Sequence, residues 1–504
     1  MADEKTLKVL TLNVWGIALP VFSSPDRSVR IAAIAESLAS GGWDIVCLQE
    51  VWNLNDYELI RKRVLQELPR AFYFHSGLVG SGVCVFTRGR ITFNFAHHYS
   101  LNGYPHRLHH GDWFGGKVVG LVRIVLDNLK IDVYGTHLHA EYDRENDLYL
   151  PHRILQAYEL SQFVNETTTG DVALVLGDLN LEPNDLGSKM ILSNGNLSDA
   201  FVNRRSNRQP DDAQSEGLTC DVSSNSYTTQ KPQHYETGKR IDYILFRGSP
   251  THAIECDTCH TTMGRIPEQP SMNYSDHLGV CATFKIARRV GSPRVQPNEP
   301  HMLDEAIVHM ERGIDTASNK RSKYLLITAL LVALFFATIA LQIAVGAAWC
   351  SVLMHTVRFV VTMWIGWCVL YGIIGLEMEQ KALRAARDGM IVLKTAKEAG
   401  NMDAGEVEPA LNQDHRSESS KTKRVLVLVV FIICISLAVG GAIFLLAAPH
   451  GNVTLKVAAG LLLLFSLLSC AAFFKTWQSR GEICSPFPFW ILGGGNQFRF
   501  SYGR

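Results

Sequence analysis

Four apolar runs crowd the C-terminal part of the chain, at 324–348, 352–376, 425–448 and 453–474. Each is about long enough to cross a hydrocarbon layer of ~30 Å as a helix. Runs of this kind do not belong on the surface of a water-soluble domain, so they divide the chain before any other feature is considered. They also account for a mean hydropathy of +0.05 in a chain whose residues are 19% charged. The first and third runs carry no charge. The second holds His355 and Arg358 and the fourth holds Lys456, each near one end, where a long side chain reaches the interface. Length favours four spans; burial or re-entry of the second and fourth runs is the alternative.

The turns inside the two pairs, "GAAWCS" and "PHGN", are short, and the segment between the pairs is long and charged. Arg321 and Lys323 precede the first run, Lys381, Arg384 and Arg387 follow the second, Lys421 and Lys423 precede the third, and Lys475 and Arg480 follow the fourth. Two hairpins would put all these cations on one side, which the positive-inside rule makes cytosolic. The N-terminal domain then faces the cytosol too. The expected organisation is a domain over 1–288, a linker and amphipathic lead-in helix over 289–323, and helix pairs over 324–376 and 425–474. A charged cytosolic loop over 377–424 and a cytosolic tail over 475–504 complete it. "ARRVGSPRVQPNEP" reads as the linker, and Met302, Leu303, Ile307, Met310 and Ile314 fall near helical spacing in the lead-in helix.

Before residue 288, short apolar strands alternate with helical patterns. Strands are expected at "KVLTLNVW", "DIVCLQEVW", "GVCVFTR", "GLVRIVL", "LKIDVYGTHL", "DVALVLGDLN", "RIDYILFR" and "GVCATFKI". "RSVRIAAIAESLAS" sets Ile31, Ile34, Ala35 and Leu38 on one helical face, and "PHRILQAYELSQFV" is a second helix. Several strands are apolar on both faces, so both faces of a sheet are covered. Two packed sheets, or one sheet layered with helices, would satisfy this. Charge balances, with 48 Lys and Arg against 48 Asp and Glu, which gives no broad basic surface for nucleic acid. The 11 cysteines are scattered and fit a reducing compartment better than a disulfide framework. Cys256 and Cys259 form one close pair, without the second pair that a zinc site needs.

The strand ends carry the chemistry. Asn13, Glu50, His137, His139, Asp178 and Asn180 each fall just past an apolar run, at its C-terminal end, and Asp276 and His277 stand just before the last strand. In an extended chain residues i and i+2 point the same way, so Asp178 and Asn180 share a face. Glu50, Asp178 and the Asn carbonyls are hard oxygen ligands of the kind Mg²⁺ prefers. His137-Leu-His139 is too slight for a zinc site, and His139 reads as a polar strand end satisfied by backbone bonds. An acid beside an imidazole, as in Asp276–His277, suits a general base. These residues point to metal-assisted hydrolysis of a phosphate ester. The aromatic-rich stretch 101–117 is either a core-packing loop or an interfacial one. Asp112 and Lys117 could pair within it and shape access to the site.

Taken together, "TLNVWG", "CLQEVW", "GTHLHAEY", "GDLNLEP", "RIDYIL" and "SDHLG" resemble the endonuclease/exonuclease/phosphatase superfamily, in order and spacing, over roughly 7–286. Within it, "LNGYPHRLHHGDWFGGKVVGL", "THLHAEY" and "GSGVCVF" look like the neutral sphingomyelinases with a C-terminal membrane anchor. The resemblance implies an α/β four-layer sandwich of two mixed sheets flanked by helices, followed by a helical membrane region. It implies Mg²⁺, with Mn²⁺ as a substitute, bound by Glu50 with Asn13 beside it. Asp178 and Asn180 would position water and phosphate, His277 oriented by Asp276 would be the base, and His137 would stabilise charge on phosphorus. Asp242 would support the site. The implied substrate is sphingomyelin in a bilayer, cleaved to ceramide and phosphocholine. The family's anchor has two helices, whereas this chain has four apolar runs. The rival readings are a lyso-phosphocholine lipid or ceramide phosphoethanolamine as substrate, a membrane-tethered nuclease, and an inactive membrane scaffold; nothing in the sequence points to protein partners.

Overall fold

The computed structural model describes residues 4–18, 23–107, 110–206, 217–228, 238–289, 300–345 and 348–399. The runs at 425–448 and 453–474 and the 475–504 tail lie outside the described residues. Two compact units result, one built from the N-terminal region through Lys320 together with the segment from Ile374, the other holding Arg321–Ile373.

The first unit contains two six-stranded sheets. The strands are β1 (Lys5–Asn13), β2 (Ile45–Gln49), β3 (Arg70–Tyr73), β4 (Cys84–Thr87), β5 (Arg90–His98), β6 (Val118–Leu126), β7 (Leu129–His137), β8 (Val172–Asp178), β9 (Ser198–Asp199), β10 (Asp242–Gly248), β11 (His252–Thr262), β12 (Arg265–Ile266), β13 (Gln269–Asn273) and β14 (Gly279–Arg288). One sheet runs β11-β14-β1-β2-β4-β3 and the other β5-β6-β7-β8-β10-β9, while β12 and β13 form a separate hairpin. Each sheet mixes parallel and antiparallel pairs: β1 is parallel to β2 and antiparallel to β14, and β8 is parallel to β7 and antiparallel to β10.

The two-sided apolarity of the strands has a direct cause. Val9, Ile45 and Val85 pack between the sheets against Val133, Leu174 and Ile244. Leu10, Leu12 and Leu48, on the opposite faces of the same strands, pack against Ile31, Ile34 and Leu38 of helix α1 (Arg27–Ser40). Helix α2 (Leu54–Val64) joins this outer layer through Tyr57 and Ile60. On the far side, Leu121, Tyr134 and Val175 pack against Ala157, Leu160 and Val164 of α3 (Leu150–Thr167) and against Ile191 of α4 (Leu186–Asn194). A short α5 (Ala200–Asn203) follows β9. The result is the helix–sheet–sheet–helix sandwich that the resemblance implied and that the strand pattern allowed.

Beyond the sandwich the structure departs from the expected boundaries. The lead-in segment and the first apolar run form one helix, α6 (Pro300–Val345). After α7 (Ala348–Trp367) and a π-helical turn (Cys368–Gly375), helix α8 (Leu376–Ala399) occupies the start of what was expected to be a charged loop. Its charges hide an apolar stripe. Leu383, Ala386 and Met390 are buried with Met302, Leu303, Met310 and Ile314 of α6 and with Ile154 and Leu155 of α3. The expected face of the lead-in helix is therefore the one that packs, with Ile307 only partly buried. Within the second unit, Tyr324 meets the ring of Tyr371 at 5.5 Å between centroids. Gln342 donates to Ser351 Oγ at 2.9 Å. Contacts at both ends make α6 and α7 an antiparallel hairpin. Among the described residues, two helices, His301–Ala344 and Ser351–Glu398, are long and apolar enough to cross a membrane.

Candidate active site

Strand register assembles the site. His137 ends β7 directly beside Asp178 at the end of parallel β8, and Asp178 lies opposite Asp242 at the start of antiparallel β10. One row across three adjacent strands thus carries an imidazole and two carboxylates. Gly177 makes the close approach feasible, because a Cβ there would lie 1.9 Å from the Thr136 carbonyl oxygen. In the other sheet, Asn13 pairs with Gln49, and Glu50 follows. Glu50 and Asn180 both have left-handed backbones, at φ 58° and 47°. Asn tolerates that region, but a glutamate held there marks local strain of a kind that gathers at functional sites.

The side chains of the two sheets then meet. The Asn13 amide donates to Glu50 Oε1 and to Asp178 Oδ2, both at 3.0 Å. Its carbonyl oxygen accepts from the Trp15 N–H at 3.0 Å. Asn13 therefore bridges the two carboxylates through its nitrogen, and the oxygen expected to reach a metal is engaged by backbone. His277 Nδ1 lies 2.9 Å from Asp242 Oδ2 and 4.0 Å from Asp178 Oδ2. The acid at the His277 ring is thus Asp242, not Asp276. Asp276, in the bend before β14, accepts instead from Ser275 Oγ at 3.3 Å. The Asn180 N–H donates to Asp178 Oδ1 at 2.9 Å, and its side chain donates to the Leu138 carbonyl at 3.0 Å.

Lys117 and Asp112 do pair, at 2.8 Å, with Lys117 wholly buried. Lys117 also donates to the Leu138 carbonyl at 2.7 Å, so it shares an acceptor with Asn180. Asp112 accepts from the Ala140 N–H at 2.8 Å. Several described residues of the 101–117 stretch are packed. Tyr104 is buried and donates to Glu379 of α8 at 3.0 Å, and the His110 ring stacks on Tyr142 at 3.9 Å. Glu50, Asp112, His137, Asp178, Asn180 and His277 all line one cavity of about 1100 Å³. Asn13, Lys117, Asp242 and Asp276 stand behind that wall. Cys256 and Cys259 lie in the core between the sheets.

Charge in this cluster is not balanced by the protein. Burial and the neighbouring Asp242 push the Asp178 carboxyl up to about 7. Burial and the Asp276 charge raise Glu50. Burial opposes a charge on His277, but Cys220 and Asp242 outweigh it and hold its pKa well above the ordinary histidine range. Burial, with Lys117 second, holds His137 well below that range. Burial alone would raise Asp112; the Lys117 ammonium reverses this and holds it well below the usual carboxylate range. Two buried polar atoms at the site, Asp242 Oδ1 and His137 Nδ1, have no hydrogen-bond partner. Asp178, Asp242 and His277 offer ligand atoms within 4.8 Å of one another. An unpaired buried carboxylate oxygen, protonation-prone acids and hard oxygen donors together fit a divalent cation.

Two buried arginines were not singled out from the sequence. Arg153 of α3 donates to the Asn180 carbonyl at 3.0 Å and to Glu141 at 3.1 Å. Arg30 of α1 donates to the carbonyls of Val14 (2.8 Å), Trp15 (2.8 Å), Pro25 (2.9 Å) and Tyr274 (3.2 Å), and to Ser24 Oγ at 2.9 Å. It ties the chain after Asn13 to the chain before Asp276 and His277. A legible signal existed, since Arg30 shares the helical spacing of Ile34 and Leu38 and so stands on the buried face.

Comparison with known proteins places this geometry. The Endonuclease/Exonuclease/phosphatase family profile matches residues 10–277. A Caenorhabditis elegans relative is 40% identical over 405 residues, 77% of this chain and 90% of its own. Human "Sphingomyelin phosphodiesterase 2" is 34% identical over 80% of this chain and 95% of its own length. "Inositol phosphosphingolipids phospholipase C" of Schizosaccharomyces pombe is 31% identical over 57% of this chain and 70% of its own.

Proposed function

This chain belongs to the endonuclease/exonuclease/phosphatase family, and from that premise we propose that it hydrolyses sphingomyelin to ceramide and phosphocholine. The reaction is a phosphodiester hydrolysis of the phospholipase C type on a sphingolipid. The observation that carries it is the His277–Asp242 pair at 2.9 Å beside Asp178 in a cavity large enough for a phosphodiester headgroup, joined to relatives named for this chemistry.

His277 takes a proton from water, and Asp242, bonded to Nδ1, holds the ring so that the opposite nitrogen handles the proton. The hydroxide attacks phosphorus in line, and the ceramide oxygen departs from the far side, taking its proton from solvent. The Asn180 side chain and neutral His137, with its free Nδ1, stabilise the added charge on the phosphoryl oxygens. Lys117 and Arg153 hold Asn180 in place, through the Leu138 carbonyl and through its own backbone. A divalent cation held by Asp178, Asp242 and Glu50 would neutralise the acids, favour the neutral form of His277 and withdraw charge from the phosphate. Hard oxygen donors favour Mg²⁺, with Mn²⁺ able to substitute.

The cations flanking the apolar runs support a multi-pass membrane protein whose catalytic unit faces the cytosol. A second reading keeps the chemistry and changes the headgroup to an inositol phosphate, which the fission-yeast relative favours. The test is phosphocholine release from sphingomyelin in mixed micelles at neutral pH, with Mg²⁺, with EDTA, and with His277→Ala. Metal-dependent release abolished by the substitution is the expected result. Release of inositol phosphate alone from a phosphosphingolipid would establish the second reading.

A further inference from the structure

The cavity has two unlike lips, and each belongs to a different sheet. Among the described residues, apart from Glu50 and His277 at its floor, the first sheet contributes no Asp, Glu, Lys or Arg to the lining. Its loops supply Ile17, Trp52, Leu54, Leu78 and Val79 instead, from the segments after β1, after β2 and between β3 and β4. The second sheet supplies Glu141, Arg144, Glu182, Asp185 and Lys239. These are cross-linked, with Arg144 at 2.6 Å from Glu182 and 3.1 Å from Asp185.

On the uncharged lip, Leu78 is 87% exposed and Leu54 49%. No other large apolar side chain among the described residues is as exposed as Leu78. The loop that carries it is held at its base. Gly77 forms a bridge with Gly115, and the Gly116 N–H donates to the Gly80 carbonyl at 3.1 Å. A Cβ on Gly77 would lie 2.6 Å from the Gly116 nitrogen, so the two loops are in contact through bare backbone. The leucine is thus presented outward by a fixed turn. Contact with an apolar partner would remove this side chain from water at a gain in free energy.

We propose that this apolar lip, led by Leu78 and Leu54, docks on the lipid bilayer around the mouth of the site. The inference rests on the sphingolipid reading above. The occupant follows from the chemistry of that substrate. Its scissile ester joins a two-chain hydrocarbon to a polar group, so a cavity that cleaves it must face hydrocarbon on one side and water on the other. Among the described residues this lip lines the cavity with no Lys or Arg, which fits a zwitterionic lipid surface; a surface that selects anionic lipids carries Lys and Arg. The apolar residues are few, so the contact is shallow, at the depth of the headgroups.

The test uses the full chain reconstituted in phosphatidylcholine vesicles with a varied mole fraction of sphingomyelin. A short-chain sphingomyelin below its micelle-forming concentration serves as the soluble substrate. Leu78→Asp should raise the half-saturating mole fraction on vesicles roughly 10-fold or more, the effect of removing one leucine from an apolar contact. Its turnover of the soluble substrate should stay within about twofold of wild type. Leu78→Phe should restore the vesicle activity. Leu65→Asp, at a leucine 52% exposed but away from the cavity, should change neither. Equal loss on both substrates would make the loop part of the chemical site and overturn the proposal. So would unchanged vesicle kinetics, whether or not chromatography then shows Leu78→Asp to have altered self-association. Wild-type inactivity on both forms of sphingomyelin would instead refute the substrate assignment, and this inference with it.

Discussion

Arg30 offers the sharpest test of how the site is held. Its side chain is fully buried and donates five hydrogen bonds, four to backbone carbonyls and one to Ser24. Burial lowers its pKa, with the nearby Tyr227 and Asp276 opposing, and the guanidinium stays charged because so fixed a fork of donors matches its acceptors. Arg30→Met removes every donor and leaves buried carbonyls without partners. Each orphaned group costs about 1–3 kcal/mol, and relief of guanidinium desolvation offsets part of the sum. A net loss of about 3–5 kcal/mol is expected, the range for breaking a buried charged network. For a unit of this size that is a fall in Tm of roughly 4–7 °C. Arg30→Lys keeps the charge but has three donors in place of five, so it should fold with a smaller loss. Because Arg30 ties the end of β1 to the segment before His277, Arg30→Lys should still lower kcat by about 10-fold or more, with KM little changed. The assays are thermal unfolding in detergent, followed by turnover in mixed micelles. A Tm for Arg30→Met within about 1 °C of wild type, or normal kcat for Arg30→Lys, would refute the reasoning.

Other consequences are as direct. Asp242→Asn should reduce turnover by roughly 10²–10⁴-fold through loss of imidazole orientation, and Asp276→Asn by less than about 10-fold; circular dichroism confirms that both are folded. Gly177→Ala forces a Cβ against the Thr136 carbonyl and should yield little folded protein, measured as soluble yield and Tm. Asp112→Asn leaves Lys117 buried without its partner and should destabilise by about 3 kcal/mol. The Asp112 pKa is depressed on folding. Its contribution is therefore present above the unfolded carboxyl pKa of about 3.9 and is lost as pH falls through the lower folded value. The Tm difference between wild type and Asp112→Asn should be full at neutral pH and close in strong acid. Removal of divalent cation with EDTA should abolish turnover and lower Tm, because it leaves the buried acids Asp178 and Glu50 and the unpartnered Oδ1 of Asp242 without a counter-cation, and added Mg²⁺ should restore both.

Much of this molecule was legible before any coordinates. Short continuous apolar runs placed the eight central strands, since a strand buried on both faces has to be apolar throughout. Period-3.6 apolarity placed α1, α3 and the packing face of the lead-in helix. The edge elements β3, β5 and β11 escaped notice because an edge strand facing water carries no such signature; β5 is largely exposed. Helix α8 escaped because its charges masked a narrow stripe, Leu383, Ala386 and Met390, that is visible only against its partner.

The site divides in the same way. That Asn13, Glu50, His137, Asp178, Asn180 and His277 belong together follows from their position at strand ends, a property of the chain itself. Which of them touch does not, because contact depends on register and sheet pairing. Asp276 adjoins His277 in sequence, yet it lies in the bend before β14 and bonds to Ser275 rather than to the imidazole. Asp242, 35 residues distant, reaches the imidazole because β10 runs antiparallel to β8. The pairing of Lys117 with Asp112 was legible in the sequence, but its bond to the Leu138 carbonyl and the carbonyl partners of Arg30 come only with the fold. Residue chemistry and spacing are local and survive in the sequence; partner choice is decided by long-range packing.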